Sequence, residues 1–194
     1  MLMSGTLTRE EALELLRLQE PDEVLVHHAL EAEAIMRGLA TRLGRDADLW
    51  GLTGLLHDVD YPGTKEAPER HGLDAMRLLA GKLPEEALHA IRAHNGERTG
   101  TSPETELDFA LRCAETVTGL VVASALVRPT GLEGMQAQSL KKKMKEKAFA
   151  ANVRRETIRE CERIGLELGE FLGVAIAAIQ GIATAVGLGP KAAP

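Results

Sequence analysis

The chain has 194 residues and a formal net charge of −6, from 29 acidic and 23 basic residues. A chain of this length suits one domain and buries about 70% of its unfolded surface, so it needs no disulfide framework. The acidic balance and an aromatic content of 3% argue against a nucleic-acid groove, which needs surplus Lys and Arg and rings for base stacking.

The sequence predicts a cytoplasmic protein. Cys113 and Cys161 fall on segments that read as helix, which favours free thiols in a reducing compartment. The N-terminal stretch MLMSGTLTREEALELL has no basic segment followed by an apolar core, so we expect no signal or transit peptide. The uncharged stretch 173–189 is nearly long enough to span a bilayer, but its Ala and Gly content and the central Gln180 suit a packed core helix better, so no membrane anchor is expected.

Apolar residues recur at spacings of three and four in almost every window, and strand signals are nearly absent, which predicts an all-α fold. Thr8 and Glu11 have the spacing of a capping box, and Ser102 precedes Pro103, a residue suited to a first helical turn. The longest irregular connection is 128–138. The predicted helices are 9–19, 23–43, 47–57, 66–80, 85–94, 104–127, 139–149, 154–168 and 170–186.

His57 and Asp58 end the apolar segment LWGLTGLLHDVDYP. An adjacent imidazole and carboxylate at a helix end can aim at one point, which is the arrangement of a metal site. The alternative for this pair alone is structural, with His57 at the negative end of the helix dipole and Asp58 beginning the loop.

His28 falls on the apolar stripe of its predicted helix and is expected to point inward. Its neighbour His27 points about 100° away, toward the side of Glu31, and is expected at the surface or beside the site. An inward histidine is either a ligand or a hydrogen-bonded core residue, and this position alone leaves both open.

Two further histidines follow the same pattern. His71 shares a predicted helical face with apolar residues, and Gly72 beside it would let another backbone or a ligand come close. His94 continues an apolar stripe to the helix end, where it could instead satisfy terminal carbonyls. By contrast, His89 lies on the polar side and is expected at the surface.

Glu115 interrupts an apolar stripe that contains Leu111 and Val122. A lone buried carboxylate is costly, so it must acquire a proton, an arginine or a metal. An ion pair with Arg112 or Arg92 is therefore the alternative to a metal ligand.

Taken in chain order, these residues resemble the HD superfamily of metal-dependent phosphohydrolases, specifically its small HDIG-like predicted hydrolases. The resemblance covers a metal-binding core at about 24–128 and extends through ALVRPTG, SLKKKMKEKAFA and CERIGLELGEF. It implies a single HD-type helical domain over residues 1–194, with additional C-terminal helices at about 139–187.

The resemblance also implies a ligand set. A first divalent metal would be held by His28, His57, Asp58 and Glu115. A second would share Asp58 and be completed by His71 and His94, which one-metal members lack. Imidazole and carboxylate ligands suit Fe, Mn, Zn, Ni or Co better than Mg.

Two positions depart from the family pattern. The acidic position is usually Asp, whereas Glu115 is one methylene longer. The HDIGK-like stretch reads HDVDY, with Asp60 and Tyr61 where Gly and Lys are common. The phosphate contact of that lysine is therefore lost unless Lys65 or Arg70 replaces it.

The function implied is hydrolysis of phosphate mono- or diesters, of nucleotides or small phosphorylated metabolites, by a metal-bound hydroxide. Asp58 would position the hydroxide and Asp60 would accept a proton. The competing interpretation is a non-catalytic HD protein that binds a nucleotide or metal as a sensor or scaffold, and a weaker one is a di-iron oxygenase.

Two features of the C-terminal part of the sequence, a lysine-rich run and a series of small residues, each have a structural and a functional interpretation. The lysine-rich run 141–147 is either a solvated helix face or an attraction for phosphate. The spacing of Gly173, Ala177 and Gly181 allows close helix packing, either internally or against the second subunit of a homodimer.

Overall fold

Two 21-residue helices, Glu23–Leu43 and Glu106–Leu126, carry much of the buried surface in the computed structural model, which describes residues 7–189. The beginning of the N-terminal stretch, for which no signal peptide is expected, lies outside that range. Residues 7–189 contain no strand, which confirms the all-α prediction. In chain order the elements are α1 (Arg9–Arg17), α2 (Glu23–Leu43), α3 (Ala47–Leu56), α4 (Tyr61–Thr64), α5 (Ala75–Leu79), α6 (Glu85–His94), α7 (Gly96–Thr99), α8 (Glu106–Leu126), α9 (Ala137–Lys143), α10 (Arg155–Arg159), a 3₁₀ helix (Glu160–Ile164) and α11 (Leu168–Gln180).

Helix α2 packs against α3, α8 and α11, and α6 packs against α8. The apolar stripe of α2 is fully buried at Ile35 and Leu39, and that of α8 at Leu111 and Leu120. Full burial of each such side chain contributes about 1.5–3 kcal/mol before the entropic cost of ordering it. Phe171 of α11 is buried in the same cluster, so the C-terminal helices share the core that holds α2 and α8.

Within residues 7–189, one helix, Glu106–Leu126, is long and apolar enough to cross a membrane. Its most apolar stretch is 67% buried inside the protein, as is usual for a core helix. The apolar stretch that begins at residue 173 belongs to α11 only as far as Gln180.

Helix starts were predicted with mixed success. The capping box at Thr8 is confirmed, since its side chain accepts from the backbone of Glu11 and the Glu11 side chain accepts in return. The predicted start of α8 at 104 lies two residues before the observed start at Glu106. Its N-cap is Thr105, because the Asp108 carboxylate accepts the backbone N–H of Thr105 at 2.8 Å and closes a capping box there, rather than at Ser102.

The helix predicted at 66–80 is wrong over its first half, since only Ala75–Leu79 is helical and 65–74 forms turns. Gly72 has φ +87°, which a helix cannot include. The Asp60 carboxylate accepts the backbone N–H of Gly72 at 2.8 Å and of Ala75 at 2.9 Å. These two hydrogen bonds fix the backbone at the start of α5. The last three predicted helices are also shorter than expected: 139–149, 154–168 and 170–186 correspond to Ala137–Lys143, Arg155–Arg159 with the 3₁₀ helix, and Leu168–Gln180.

Candidate metal centre

Five predicted ligands from four segments meet in one place. They come from the first third of α2, the residues just after α3, the turns before α5 and the end of α6. Their ligand atoms form two groups, each within 4.8 Å, that share Asp58: His28, His57 and Asp58, then Asp58, His71 and His94.

Two of the imidazoles are held by carbonyl groups of their own helices. Nδ1 of His57 lies 2.7 Å from the carbonyl oxygen of Gly54, and Nδ1 of His94 lies 2.5 Å from that of Ile91. A carbonyl oxygen only accepts, so Nδ1 carries the hydrogen in both rings. Each Nε2 is therefore left with a lone pair, which is the form that binds metal.

Thr118 fixes the third imidazole. The Thr118 hydroxyl donates its hydrogen to the carbonyl oxygen of Glu115 at 2.6 Å, so Oγ1 of Thr118 can only accept from Nδ1–H of His28, at 3.0 Å. The lone pair of His28 is consequently on Nε2, directed to the same centre as the others.

Asp60 fixes the fourth imidazole, because its Oδ1 lies 3.0 Å from Nδ1 of His71. The other oxygen of Asp60 accepts the two backbone N–H groups named above, and the residue is 4% exposed. Both oxygens are thus engaged with the chain, which favours a positioning role for Asp60 over the proton-acceptor role expected from the sequence.

The four Nε2 atoms and Asp58 are too close to coexist without a cation. Nε2 of His28 lies 3.1 Å from Nε2 of His57, and Nε2 of His71 lies 3.0 Å from that of His94. Oδ1 of Asp58 lies 3.1, 3.3 and 3.4 Å from Nε2 of His71, His57 and His94. Facing lone pairs repel, so a metal ion or protons must lie between them, and this imidazole and carboxylate set fits a divalent transition metal.

The protonation equilibria agree with a ligand role. Burial lowers the pKa of His57 to about 3, so this ring is neutral at physiological pH. Burial opposes ionisation of Asp58, but His57 and hydrogen bonds from His71 and His94 hold the pKa of Asp58 well below its usual range. Burial likewise lowers the pKa of His71, but Asp58 and Asp60 outweigh it and raise that pKa to about 10. A metal ion would displace the His71 proton and take over its compensation of charge.

Glu115 belongs to neither ligand group within residues 7–189. Its Oε1 accepts from the hydroxyl of Thr116 at 2.5 Å, and burial raises its pKa. The ion-pair alternative is not found: Arg112 pairs with Glu97 and Glu160, and Arg92 pairs with Glu85. Its role as a ligand therefore stays a prediction.

Arg112 instead ties the site to α8. Its guanidinium donates to the carbonyl oxygens of Ala93 at 3.1 Å and His94 at 3.2 Å, while Glu160 accepts from its Nε at 2.7 Å. These contacts satisfy the C-terminal end of α6 and hold the backbone of His94 in place.

The two expected phosphate contacts lie at the surface in ion pairs. Nζ of Lys65 lies 3.3 Å from Oδ2 of Asp22, and Arg70 pairs with Asp74. Lys65 also lies 5.7 Å from the centre of the Tyr61 ring, which in turn stacks edge-on against a ligand histidine. Their role in substrate binding stays a prediction.

The other two histidines lie outside the ligand groups, as far as the described residues show. His27 is half-buried, with Nε2 3.8 Å from Oε1 of Glu23. The surface prediction for His89 is wrong, because the ring is half-buried with Nδ1 3.1 Å from Oδ2 of the fully buried Asp108. Glu31, expected on an outward side, is also buried, at 3% exposure.

A polar cavity of about 270 Å³ opens beside the centre, and sequence reasoning missed two residues of its lining, Asn152 and Arg154. His28 and Glu115 line the same cavity, and the Arg154 guanidinium is half exposed. Asn152 and Arg154 lie at the end of an irregular segment, which has no helical periodicity from which a functional face could be predicted. The charge of Arg154 was the one feature of this segment that could have indicated a binding residue.

The HD domain family profile matches residues 25–151, a range that extends past the core end expected at 128. A deoxyguanosinetriphosphate triphosphohydrolase-like protein of Bradyrhizobium diazoefficiens is 33% identical over 99 residues, covering 39% of this chain and 25% of that protein. Ribonuclease Y of Desulfotalea psychrophila is 30% identical over 97 residues, covering 49% of this chain and 18% of that protein. The chain thus spans a quarter or less of these relatives.

No solved structure matches the chain significantly. The family assignment therefore depends on the profile and the site. Because the profile covers more than half of the chain, and the converging histidines and Asp58 lie inside the matched range, the chain belongs to the HD domain family.

Proposed function

We propose that this protein is a divalent-metal-dependent hydrolase of phosphate mono- or diesters, acting on nucleotides or small phosphorylated metabolites. The observation that carries the proposal is the convergence of four imidazole Nε2 atoms on Asp58, with every Nδ1 held by a protein acceptor. Such preorganised imidazoles are typical of metal sites. The names of the two relatives, a triphosphohydrolase-like protein and a ribonuclease, support cleavage of phosphate bonds as the reaction class.

His28, His57 and Asp58 would hold one ion, and Asp58, His71 and His94 a second. Bound divalent ions supply Lewis acidity, an activated water and compensation for charge on the transferring phosphoryl group. The chain's own contribution is positional: Thr118 holds one ligand imidazole and Asp60 another. Arg154 in the adjacent polar cavity has a half-exposed guanidinium, with Nη1 3.2 Å from Oε1 of Glu97, whose remaining N–H groups suit phosphate oxygens.

Metal content tests the site. Purified protein is expected to hold one or two transition-metal ions, and His57→Ala or Asp58→Ala should empty the first site while far-UV circular dichroism stays helical. His71→Ala or His94→Ala should each lower the stoichiometry by about one ion. The control His27→Ala should keep full stoichiometry. A protein that neither carries nor accepts metal would refute the proposal.

Turnover tests the reaction. Phosphate esters are supplied with Mn, Fe, Co, Ni or Zn one at a time, and release of phosphate or of the alcohol is measured. Hydrolysis that is lost in Asp58→Ala supports the proposal. Metal and nucleotide binding without turnover would instead establish the sensor or scaffold interpretation.

The variant Glu115→Gln tests whether the carboxylate of Glu115 is the fourth ligand of the first metal ion. The substitution keeps size and removes charge, so a ligand role predicts weaker metal binding and lost hydrolysis. Wild-type metal affinity in this variant would show that Glu115 binds no metal.

A further inference from the structure

A second cavity, of about 590 Å³, also has His28 in its lining. Its volume is within the range of small-molecule binding sites. It lies between α2, α8 and residues 186–188, and its walls are mostly aliphatic: Val24, Val122, Ala123, Leu126, Val186 and Leu188. We call it the apolar cavity.

One buried carboxyl group, that of Glu31, lines the apolar cavity. Glu31 is 3% exposed, and the described residues 7–189 give its side chain no hydrogen bond or ion pair. Glu33, two residues later and equally buried, is paired with Arg9 at 2.6 Å and Arg37 at 3.0 Å. The chain therefore compensates one buried glutamate of α2 and leaves the other facing a cavity. A buried carboxyl without a partner costs stability, which indicates that a ligand supplies the partner.

The apolar cavity and the polar cavity are neighbours. His28 and Thr118 line both, while Glu115 and Arg154 line only the polar one. A ligand that places a phosphate at the metal centre can therefore extend an apolar group past His28 toward Glu31.

We propose that the apolar cavity binds the base of a nucleotide, with an N–H group on the edge of the base donating to the carboxyl group of Glu31. This inference rests on the proposed function, since it assigns the organic part of the same substrate. Aliphatic side chains can pack against the faces of a base, and the carboxyl group of Glu31 can accept a hydrogen bond from an N–H group on the edge of the base. A plain alkyl chain would fill the walls but leave Glu31 unpartnered, which makes it the poorer occupant.

The inference is tested without catalysis, by titrating nucleosides into the protein stripped of metal with a chelator. Guanosine, adenosine and inosine carry N–H donors on the base edge, whereas purine riboside carries none. Isothermal titration calorimetry should give binding of the donors, with purine riboside about tenfold weaker. Ribose 5-phosphate and decyl phosphate serve as ligands without a base.

Glu31→Leu should abolish the difference between adenosine and purine riboside, and it should raise the midpoint of thermal unfolding because an uncompensated carboxyl is removed. The control Glu86→Leu, at an exposed position of α6, should change neither. A purely structural role of Glu31 predicts a lower midpoint instead. If the variant fails to fold, the stability part of the inference is wrong, and the comparison of adenosine with purine riboside on wild-type protein decides whether Glu31 recognises the base.

Equal binding of purine riboside and adenosine would overturn the inference. Tight binding of decyl phosphate that survives Glu31→Leu would assign the cavity to an alkyl chain. Nucleoside binding without any hydrolysis would refute the proposed function and keep this inference. Hydrolysis of phosphate esters that lack a base, with no binding of nucleosides, would support the proposed function and refute this inference.

Discussion

Oδ1 of Asp60 lies 3.0 Å from Nδ1 of His71, and this contact joins the candidate metal centre to the turns before α5. The second oxygen of the same carboxylate accepts the backbone N–H groups of Gly72 and Ala75. One side chain therefore orients a ligand imidazole and sets where the following helix begins.

Asp60→Asn is expected to weaken binding at the second ion by about 10- to 100-fold, because an amide cannot replace a carboxylate that accepts three hydrogen bonds. Metal titration with a competing chelator measures the affinity of each site. The control is Asp48→Asn, whose side chain is 88% exposed and paired with Arg37, and it should leave both affinities unchanged. Unchanged affinity in Asp60→Asn would show that Asp60 supports only the turns.

Thr118→Val is expected to weaken the first ion by a similar factor of about 10- to 100-fold, because Nδ1–H of His28 loses its acceptor and the ring is free to reorient. Thr53→Val is the matched control: Thr53 is fully buried and donates to the carbonyl oxygen of Leu49 at 2.8 Å, away from the centre. Thr118→Val loses two hydrogen bonds and Thr53→Val loses one, so the unfolding midpoint should fall in both variants and somewhat further in Thr118→Val. Equal metal affinities in the two variants would argue against the positioning role of Thr118.

The ligands that lie on regular helices were predictable from the sequence, because helical periodicity places them. His28 shares a stripe with buried residues of α2, and His94 ends the buried stripe of α6. His71 was predicted to lie on a helix at 66–80, but it lies in the turns before α5. Its position depends on the contact with Asp60 and on the positive φ of Gly72, which sequence spacing does not reveal.

Burial of Glu31 could not be predicted from α2 alone. Residues 186–188 line the same cavity as Glu31, and neighbours so distant in the sequence do not alter the local pattern of apolar residues. Glu33 of the same helix differs from Glu31 in that it forms ion pairs, with Arg9 across the fold and with Arg37 one helical turn on.

Gly72→Ala is expected to shift the backbone beside His71 and so to weaken metal binding at the candidate metal centre. An added Cβ would lie 3.2 Å from the carbonyl oxygen of Ile91 and 3.7 Å from Cε1 of His94, at φ +87°. The left-handed backbone alone costs about 1–2 kcal/mol for a non-glycine residue. Gly100→Ala carries that cost too, at φ +74°, but its Cβ would meet nothing within 4 Å.

Denaturant unfolding should therefore show a larger loss for Gly72→Ala than for Gly100→Ala, and only Gly72→Ala should lower metal stoichiometry. The prediction that Gly72 admits a close backbone neighbour is confirmed by the Ile91 carbonyl. Full metal content in Gly72→Ala would mean that the turn tolerates the added methyl group without moving His71.

The stability of the metal-free protein is expected to depend on pH through Glu31. Burial raises the pKa of Glu31 from 4.5 to about 8, so between these values the folded chain holds a proton that the unfolded chain has released. The unfolded state then binds fewer protons, and the free energy of unfolding falls as pH rises through this window, by up to about 1.4 kcal/mol per pH unit. Above a pH of about 8 this contribution changes no further.

Glu31→Gln isolates this contribution, because the amide resembles the protonated carboxyl in size and does not titrate. Glu23, His27 and His28 line the same cavity and are present in both proteins, so their titration largely cancels in the difference. The variant and wild type should have nearly equal free energies of unfolding at pH 4.5, and the variant should become progressively more stable up to about pH 8. Urea unfolding in the presence of chelator, at half-unit pH steps, measures the gap, with exposed Glu133→Gln as the control. A gap that stays constant with pH would show that Glu31 ionises alike in both states, and that some group other than a ligand already compensates its charge.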